Sequence, residues 1–164
     1  MELKQVLELI GKSKEFSEWR KSHEKAYLAH AFVMMDEANK DTWQVGYYDA
    51  EKSLMSTFVV TGEKIGIIPD QEVFKAHQKI LELKPEEVKL SVKEAMETAE
   101  KTKAEKFKNE LPAKTFFIIQ DLEEHGPVFN ITYFTHSFKT INIKLSTKDG
   151  KVFHATCQSL AAFG

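Results

Sequence analysis

The side chains of this chain that could do chemistry are one thiol, six imidazoles and a few aspartates. Cys157 is the single cysteine, and His154 is the histidine closest to it in sequence. On one strand, positions 154 and 157 point to opposite faces of a sheet, so the two side chains are not expected to form a thiol–imidazole pair. We therefore interpret Cys157 as a small buried apolar residue and not as a nucleophile.

The histidines lack the short spacings that metal sites use, such as His-x-His or His-x-x-x-His. They are spread along the sequence, at His23, His30, His77, His125, His136 and His154. His23 falls on the apolar face of a predicted helix, where we interpret it as a core residue. The sequence therefore predicts no metal site.

The aspartates and glycines also form no catalytic motif. Asp36 and Asp121 fall at predicted strand ends, where carboxylates commonly close turns. No G-x-G-x-x-G, P-loop or G-x-S-x-G pattern occurs, and we interpret Gly62 and Gly126 as turn residues. We expect no catalytic residues, no cofactor and no enzymatic activity.

The composition is that of an ordinary globular protein, with 42% hydrophobic and 29% charged residues in a chain of 164. Lys and Arg together number 23 against 25 Asp and Glu, so the formal net charge of −2 indicates neither nucleic acid nor a membrane as a partner. A single cysteine excludes an intramolecular disulfide, and the start of the chain lacks the basic and apolar segments of a signal peptide. These features predict a cytoplasmic protein.

A predicted antiparallel meander between Pro127 and Cys157 organises the chain. Apolar side chains alternate along two of its strands, at Phe129, Ile131, Tyr133, Ile141, Ile143 and Leu145. Asp149-Gly150 is a strong hairpin signal. Strands are predicted over 114–122, 127–135, 138–147 and 151–158.

A similar pattern occurs 86 residues earlier and predicts an internal duplication. Trp43-Gln-Val-Gly-Tyr47 corresponds to Phe129-Asn-Ile-Thr-Tyr133 at this offset. The same offset places Met55, Thr57 and Val59 on the inward face of their strand. Strands of the first copy are predicted over 27–36, 43–50, 53–61 and 64–68.

Helices are predicted before each meander and between the two. Ser13 is a plausible N-cap for the second of two short helices near the N-terminus. Apolar residues at helical spacing between Val73 and Leu81 predict a connecting helix over 70–82. Ser91 and Glu94 match a capping box, which predicts the start of a long helix that Pro112 closes.

Together these elements predict an α+β fold of two tandem repeats, each a helix followed by an antiparallel meander. The predicted boundaries are 1–69 for the first repeat, 70–84 for the connecting helix and 85–164 for the second repeat.

Residues 84–157 resemble a PepSY-type repeat, a module found in peptidase propeptides. The segments that carry the resemblance are Ser91-Val-Lys-Glu-Ala-Met-Glu-Thr-Ala99, Gly126-Pro-Val-Phe-Asn-Ile-Thr-Tyr133 and Ile141-Asn-Ile-Lys-Leu-Ser-Thr-Lys-Asp-Gly-Lys-Val152. Residues 25–68 are similar to the same module in weaker form, and Trp43 keeps the tryptophan that the module often has there. The resemblance implies a cystatin-like sheet without catalytic residues that restrains or chaperones a peptidase.

The leading functional hypothesis is a non-enzymatic protein-interaction or inhibitory module with a protein partner. The alternative is a small-ligand-binding protein that uses a pocket in a curved sheet. The outer face of the first meander is expected to be apolar and covered by the connecting helix, with Gly46, Tyr48, Leu54, Phe58 and Val60 on it. Exposure of Tyr48, Phe58 and Val60 would indicate a homodimer.

Overall fold

The computed structural model describes residues 1–73 and 79–163, which contain three α-helices and eight β-strands. The helices are α1 (Leu3–Lys12), α2 (Lys14–Arg20) and α3 (Val92–Lys106). The strands are β1 (Tyr27–Met34), β2 (Thr42–Asp49), β3 (Leu54–Thr61), β4 (Lys64–Glu72), β5 (Pro112–Leu122), β6 (Gly126–Thr135), β7 (Lys139–Ser146) and β8 (Val152–Ser159). Short 3-10 turns lie at Pro85–Glu87 and Leu160–Phe163.

All eight strands form one antiparallel sheet in the order β4-β3-β2-β1-β5-β6-β7-β8. It consists of two four-stranded meanders, β1–β4 and β5–β8, and each meander follows a helical segment. The meanders join in the middle of the sheet, where β1 pairs with β5 from His30–Gln120 to Met34–Phe116. The predicted α+β class is confirmed.

The helices pack on one face of this sheet, and the core lies between them. The predicted core residues of the second meander, Phe129, Ile131, Ile141, Ile143 and Leu145, are at most 1% exposed. They share one hydrophobic cluster with Ala95 and Ala99 of α3. Odd-numbered positions of β6 and β7 therefore face the helices, as alternation along a strand requires.

Two helices begin at the predicted caps. Ser13 Oγ accepts a hydrogen bond from the amide of Phe16 at 3.1 Å. Ser91 Oγ accepts from the amide of Glu94 at 3.2 Å, and the Glu94 carboxylate accepts from the amide of Ser91 at 2.9 Å. The capping box at the start of α3 is confirmed.

The inward face of β3 is opposite to the predicted one. The buried residues of β3 are Ser56, Phe58 and Val60. The half-buried residues on its other face are Met55, Thr57 and Val59. Six residues separate Tyr48 from its partner Met55, whereas five separate Phe134 from Thr140 in the other meander. One extra hairpin residue reverses the faces of the following strand, so the predicted offset of 86 gives the wrong faces for β3, and an offset of 85 gives the observed ones.

The predicted connecting helix is wrong wherever the structure describes its residues. Residues 70–72 belong to β4, because β3 pairs with β4 as far as Leu54–Glu72. Residues 79–82 have no helical structure, and the part of the prediction at 74–78, with Phe74 and His77, lies outside the described residues. Pairing along the whole of β3 thus places residues 70–72 in a strand instead of at the start of a helix.

Residues 79–84 are held against the start of β1. The hydroxyl of Tyr27 donates to the carbonyl of Ile80 at 2.7 Å, and the amide of Leu83 donates to the carbonyl of Leu28 at 2.8 Å. Leu83 is only 1% exposed and belongs to the core cluster.

The outer face of the first meander is less apolar than predicted. Phe58 and Val60 lie on the helix side of the sheet, where both are buried. Tyr48 lies on the other face and packs edge-on against Tyr27, with ring centroids 5.8 Å apart. Tyr48 is also buried, so the side chains whose exposure would have indicated a homodimer are all covered.

Candidate functional site

A groove of about 590 Å³ opens on the helix side of the sheet, between the first turn of α1 and the first half of α3. We call it the α1–α3 groove. Its floor is formed by Val33 of β1, Trp43 of β2 and Phe117 of β5. It therefore lies over the junction of the two meanders, where the helices of the two halves leave space between them.

The floor of the groove is aromatic and tightly packed. Trp43 stands beside Val33 in the β1–β2 register, and Val33 stands beside Phe117 in the β1–β5 register. The rings of Trp43 and Phe117 meet edge to face, with centroids 5.7 Å apart at 75°. All three residues are at most 2% exposed, so they close the base of the groove, whereas the residues of its walls are more accessible.

The walls of the groove are rich in methionine. Met1 and Met35 lie on the side of α1 and β1, and Val92 and Met96 of α3 lie opposite. Methionine has an unbranched, polarizable side chain that adapts to partners of different shape. The groove thus combines a buried aromatic base with adaptable, more accessible walls.

The rim of the groove carries more acidic than basic groups. Four carboxylates and two ammonium groups line it, from Glu2, Asp41, Glu97, Glu100, Lys40 and Lys93. Lys93 lies 3.9 Å from Glu97, and Lys40 lies 2.8 Å from Glu37, which is outside the groove. Exposed pairs of this kind contribute little stability, and the rim keeps a negative formal charge.

Glu2 fixes one end of the groove. Its carboxylate accepts hydrogen bonds from the amide of Val92 at 3.0 and 3.3 Å. Val92 is the first residue of α3, so the carboxylate lies where the helix dipole and the unpaired amides favour negative charge. This contact joins the start of α1 to the start of α3.

A serine, an aspartate and a histidine also meet beneath α2, but not as a nucleophilic triad. The hydroxyl of Ser56 accepts from Trp19 Nε1 at 2.9 Å and donates to the Asp70 carboxylate. His23 Nε2 lies 2.9 Å from the other carboxylate oxygen of Asp70. Ser56 gives its proton to a carboxylate, is 1% exposed and contacts no imidazole of the described residues, so this arrangement attaches α2 to β3 and β4.

This hydrogen-bond network lowers the pKa of the Asp70 carboxyl. Burial opposes its ionisation, but hydrogen bonds from Ser56 and His23 outweigh that effect and lower its pKa below the ordinary value of 3.8. The ring of His23 also stacks on Trp19, with centroids 4.7 Å apart. His23 is therefore packed against the first half, as the sequence indicated, and its outer nitrogen is held by a carboxylate.

The other residues considered for chemistry lie apart from the groove. Cys157 pairs with Ile141 and packs against the core, whereas His154 pairs with Lys144 on the other face, as predicted. His30 lies across Gly46 on the face without helices, where burial lowers its pKa. Within residues 1–73 and 79–163, no group of three or more metal-ligating side chains occurs.

Most of the groove was not visible in the sequence. Trp43 was identified only as a strand residue, and Met35, Met96 and Phe117 were not singled out for function. These residues come from four elements that are separated along the chain. Apart from the unusual placement of methionines beside aromatic strands, the sequence contains no local signal for the groove.

The fold has a counterpart among solved structures. The chain resembles a crystal structure of a putative lipoprotein from Clostridium difficile 630, with a TM-score of 0.57 and 12% sequence identity. The match covers 88% of this chain and 90% of that chain. No protein-family model and no curated protein matches the sequence. At this identity the likeness concerns the fold alone.

The expectation of a cytoplasmic location is contradicted by this match and is withdrawn. A balanced charge and a single cysteine do not distinguish a cytoplasmic protein from an exported protein without disulfides, which is why composition misled the prediction. In the described part of the chain, every helix is too short or too polar to span a bilayer.

Proposed function

We propose that the two halves of the chain are tandem repeats of one helix-plus-meander unit. The two meanders have the same strand order, and each half places helices on the same face. Ser53 and Phe138, which correspond at an offset of 85, both have a positive φ, of 53° and 57°. Each precedes the third strand of its meander, and neither residue type favours that conformation. The resemblance to the PepSY-type module stays a prediction.

We further propose that the protein is a non-enzymatic interaction module whose α1–α3 groove binds an apolar segment of a protein partner. The observation that carries this proposal is the groove itself, whose accessible walls carry Met1, Met35 and Met96 above a base that Trp43 and Phe117 close. Methionine side chains are enriched in the buried centres of protein interfaces. The partner segment is apolar with basic flanking residues, because the rim of the groove is mainly acidic.

An extracytoplasmic site of action accompanies this proposal. The support is the shared fold with the Clostridium difficile protein, a putative lipoprotein. Protease treatment of intact cells that express the natural gene tests it. Degradation of the protein in intact cells supports the proposal, and protection until the cells are lysed contradicts it.

Synthetic peptides test the function of the groove. Two peptides share an apolar leucine core and differ only in their flanking residues, lysine in one and glutamate in the other. Isothermal titration calorimetry is expected to show binding of the lysine-flanked peptide and at least about tenfold weaker binding of the other.

Two methionine variants locate the binding surface. Met96→Gln places a polar amide in the wall of the groove and is expected to weaken binding about tenfold. Met55→Gln is the matched control, because Met55 is half-buried on the opposite face of the sheet. Equal affinities for wild type and Met96→Gln, with both variants folded by circular dichroism, would overturn the proposal.

A further inference from the structure

A second cavity, of about 400 Å³, lies on the face of the sheet that carries no helices. We call it the polar cavity. It opens beside the turn between β5 and β6, and side chains of β5, β6 and β7 form its base. This volume is in the range that small-molecule sites occupy. It is separate from the α1–α3 groove, because the sheet lies between the two.

Lys144 is the central charged group of this cavity. It lies in the middle of β7, beside Asn130 of β6 and His154 of β8, and its residue is half-buried. None of the ion pairs within residues 1–73 and 79–161 joins Lys144 to a carboxylate. Its ammonium group therefore has no carboxylate partner among these pairs and can pair with an anionic ligand in the cavity.

Two histidines lie near Lys144: His125 lines the cavity, and His154 is the neighbour of Lys144 on β8. Burial lowers the pKa of His154, and the charges of Lys144 and His125 lower it further. These three side chains are therefore close enough to repel one another when protonated. His125 is held by a parallel stack on Phe153, with ring centroids 4.7 Å apart and 6° between the planes. An ammonium group and an imidazole that line one cavity can both donate hydrogen bonds to an anion.

Neutral donors complete the cavity. Asn142 Nδ2 donates to Asn130 Oδ1 at 2.7 Å and to Thr132 Oγ1 at 3.1 Å. Because the oxygen of Asn130 is used in this way, its amide NH₂ is directed away from Asn142 and can donate to a ligand. Gln120 adds a second amide to the lining.

The remaining charged groups lie at the edge of the cavity. Lys79 adds an exposed ammonium group, and Glu123 and Glu124 add carboxylates from the β5–β6 turn. Glu124 has a side chain that is 88% exposed and lies 4.0 Å from His125. Carboxylates in that position are solvated, so they do not neutralise Lys144 at the base.

We propose that the polar cavity binds a small molecule through an anionic group, a carboxylate or a phosphate, held by Lys144, His125 and the amide of Asn130. The ammonium group forms charge-assisted hydrogen bonds with such anions, and the N–H of an imidazole can donate another. A resident lysine disfavours a metal cation at the same place. This proposal does not depend on the proposed interaction function, because anion binding here does not require a partner in the α1–α3 groove.

Titration of the full chain with inorganic phosphate and with succinate, each against sodium chloride at equal ionic strength, tests the proposal. Amide and histidine ring signals in the NMR spectrum of labelled protein report binding. We expect saturable shifts centred on Asn130, Lys144 and His154 with at least one probe. A bound anion favours the protonated ring, so the titration midpoint of His154 is expected to rise. Preference for one probe identifies the anionic group.

Two lysine variants give the matched comparison. Lys144→Met keeps the aliphatic stem and is expected to weaken binding about tenfold or more. Lys114→Met removes an exposed lysine near the opposite end of β5 and is expected to change affinity less than about twofold. If Lys144→Met does not fold, Asn130→Asp serves instead, because a carboxylate there repels the anion. Absence of saturable shifts with both probes, or equal losses in the two lysine variants, would refute the anion site.

Discussion

Gly46 is the residue whose identity the structure explains most directly. A Cβ atom at this position would stand 2.3 Å from Cε1 of His30, which lies across the glycine on the helix-free face. Burial lowers the pKa of His30, so the ring that covers Gly46 is neutral at pH 7. The glycine is therefore required by a close approach, since its backbone is in an ordinary strand conformation.

Gly46→Ala is expected to destabilise the protein by about 1–3 kcal/mol in urea unfolding, because the His30 ring must move. Gly66→Ala is the control: no atom lies within 4 Å of the Cβ that it would add, and its φ is not positive. We expect a change between zero and about 1 kcal/mol of stabilisation there. In a His30→Ala background the cost of Gly46→Ala should disappear, and a cost that persists would show that the contact is not its cause.

Single residues with strong local rules were predictable from the sequence. Ser13 and Ser91 cap helices as predicted, because capping depends on neighbours within one turn. The close approach of His30 to Gly46 was not predictable, since it depends on the register between two strands. The convergence of Lys144 and His125 was hidden for the same reason.

Among the contacts between elements, Glu2 joins α1 to α3. Removing its carboxylate leaves the amide of Val92 without this partner and removes a favourable interaction with the helix dipole. Glu2→Ala is expected to cost about 1 kcal/mol of unfolding free energy. Glu8→Ala is the control. The side chain of Glu8 is 72% exposed, and its ion pair with Lys12 is long at 4.0 Å and therefore weak. Equal costs would mean that the Glu2–Val92 contact does not stabilise the protein.

The attachment of α2 to the sheet gives a pH dependence. The pKa of Asp70 in the folded state is lowered, with burial opposing and hydrogen bonds from Ser56 and His23 favouring the carboxylate. The stabilisation is therefore complete above the ordinary pKa of 3.8 and is lost as pH falls through the lower folded value. Asp70→Asn should lower stability at neutral pH and flatten the loss in acid.

Asp121 provides a control, because its pKa is shifted in the direction opposite to that of Asp70. Burial and the nearby Glu87 carboxylate raise its pKa in the folded state. Its ionisation therefore opposes folding above that pKa, and Asp121→Asn is expected to increase stability at neutral pH and to change little in acid. Chemical unfolding of both variants as a function of pH measures the two effects. Identical profiles would contradict the assignment of the acid dependence to Asp70.

The elements themselves were predictable where one signal dominated. The alternation of apolar residues located the strands of both meanders, and composition with pattern gave the α+β class. The predicted inward face of β3 was wrong because the hairpin before it is one residue longer, and the sequence of β3 itself does not reveal that length. No helix begins at residue 70, because pairing with β3 extends β4 to Glu72. Register and pairing are tertiary properties that a single-sequence pattern does not determine.

For the whole molecule, the decisive feature is that the two meanders share one sheet. β1 and β5 are both central strands, and separating the halves would expose the edge of each. The core is also continuous, because Phe117 contacts Trp43 on one side and Phe129 on the other, with centroid distances of 5.7 and 5.8 Å. We therefore expect the halves to unfold together, as one cooperative unit.

Phe129→Ala tests this cooperativity. Phe129 lies in the second half and is 1% exposed, so its truncation is expected to cost about 3–5 kcal/mol. Both tryptophans of the chain, Trp19 and Trp43, lie in the first half, so tryptophan fluorescence follows that half while far-UV circular dichroism follows the whole chain. If the protein is one unit, the fluorescence midpoint in urea must move with the dichroism midpoint, although no tryptophan was changed. The opposite outcome is a fluorescence midpoint that stays at the wild-type urea concentration together with a biphasic dichroism curve. That result would establish two domains that fold separately on either side of the β1–β5 junction.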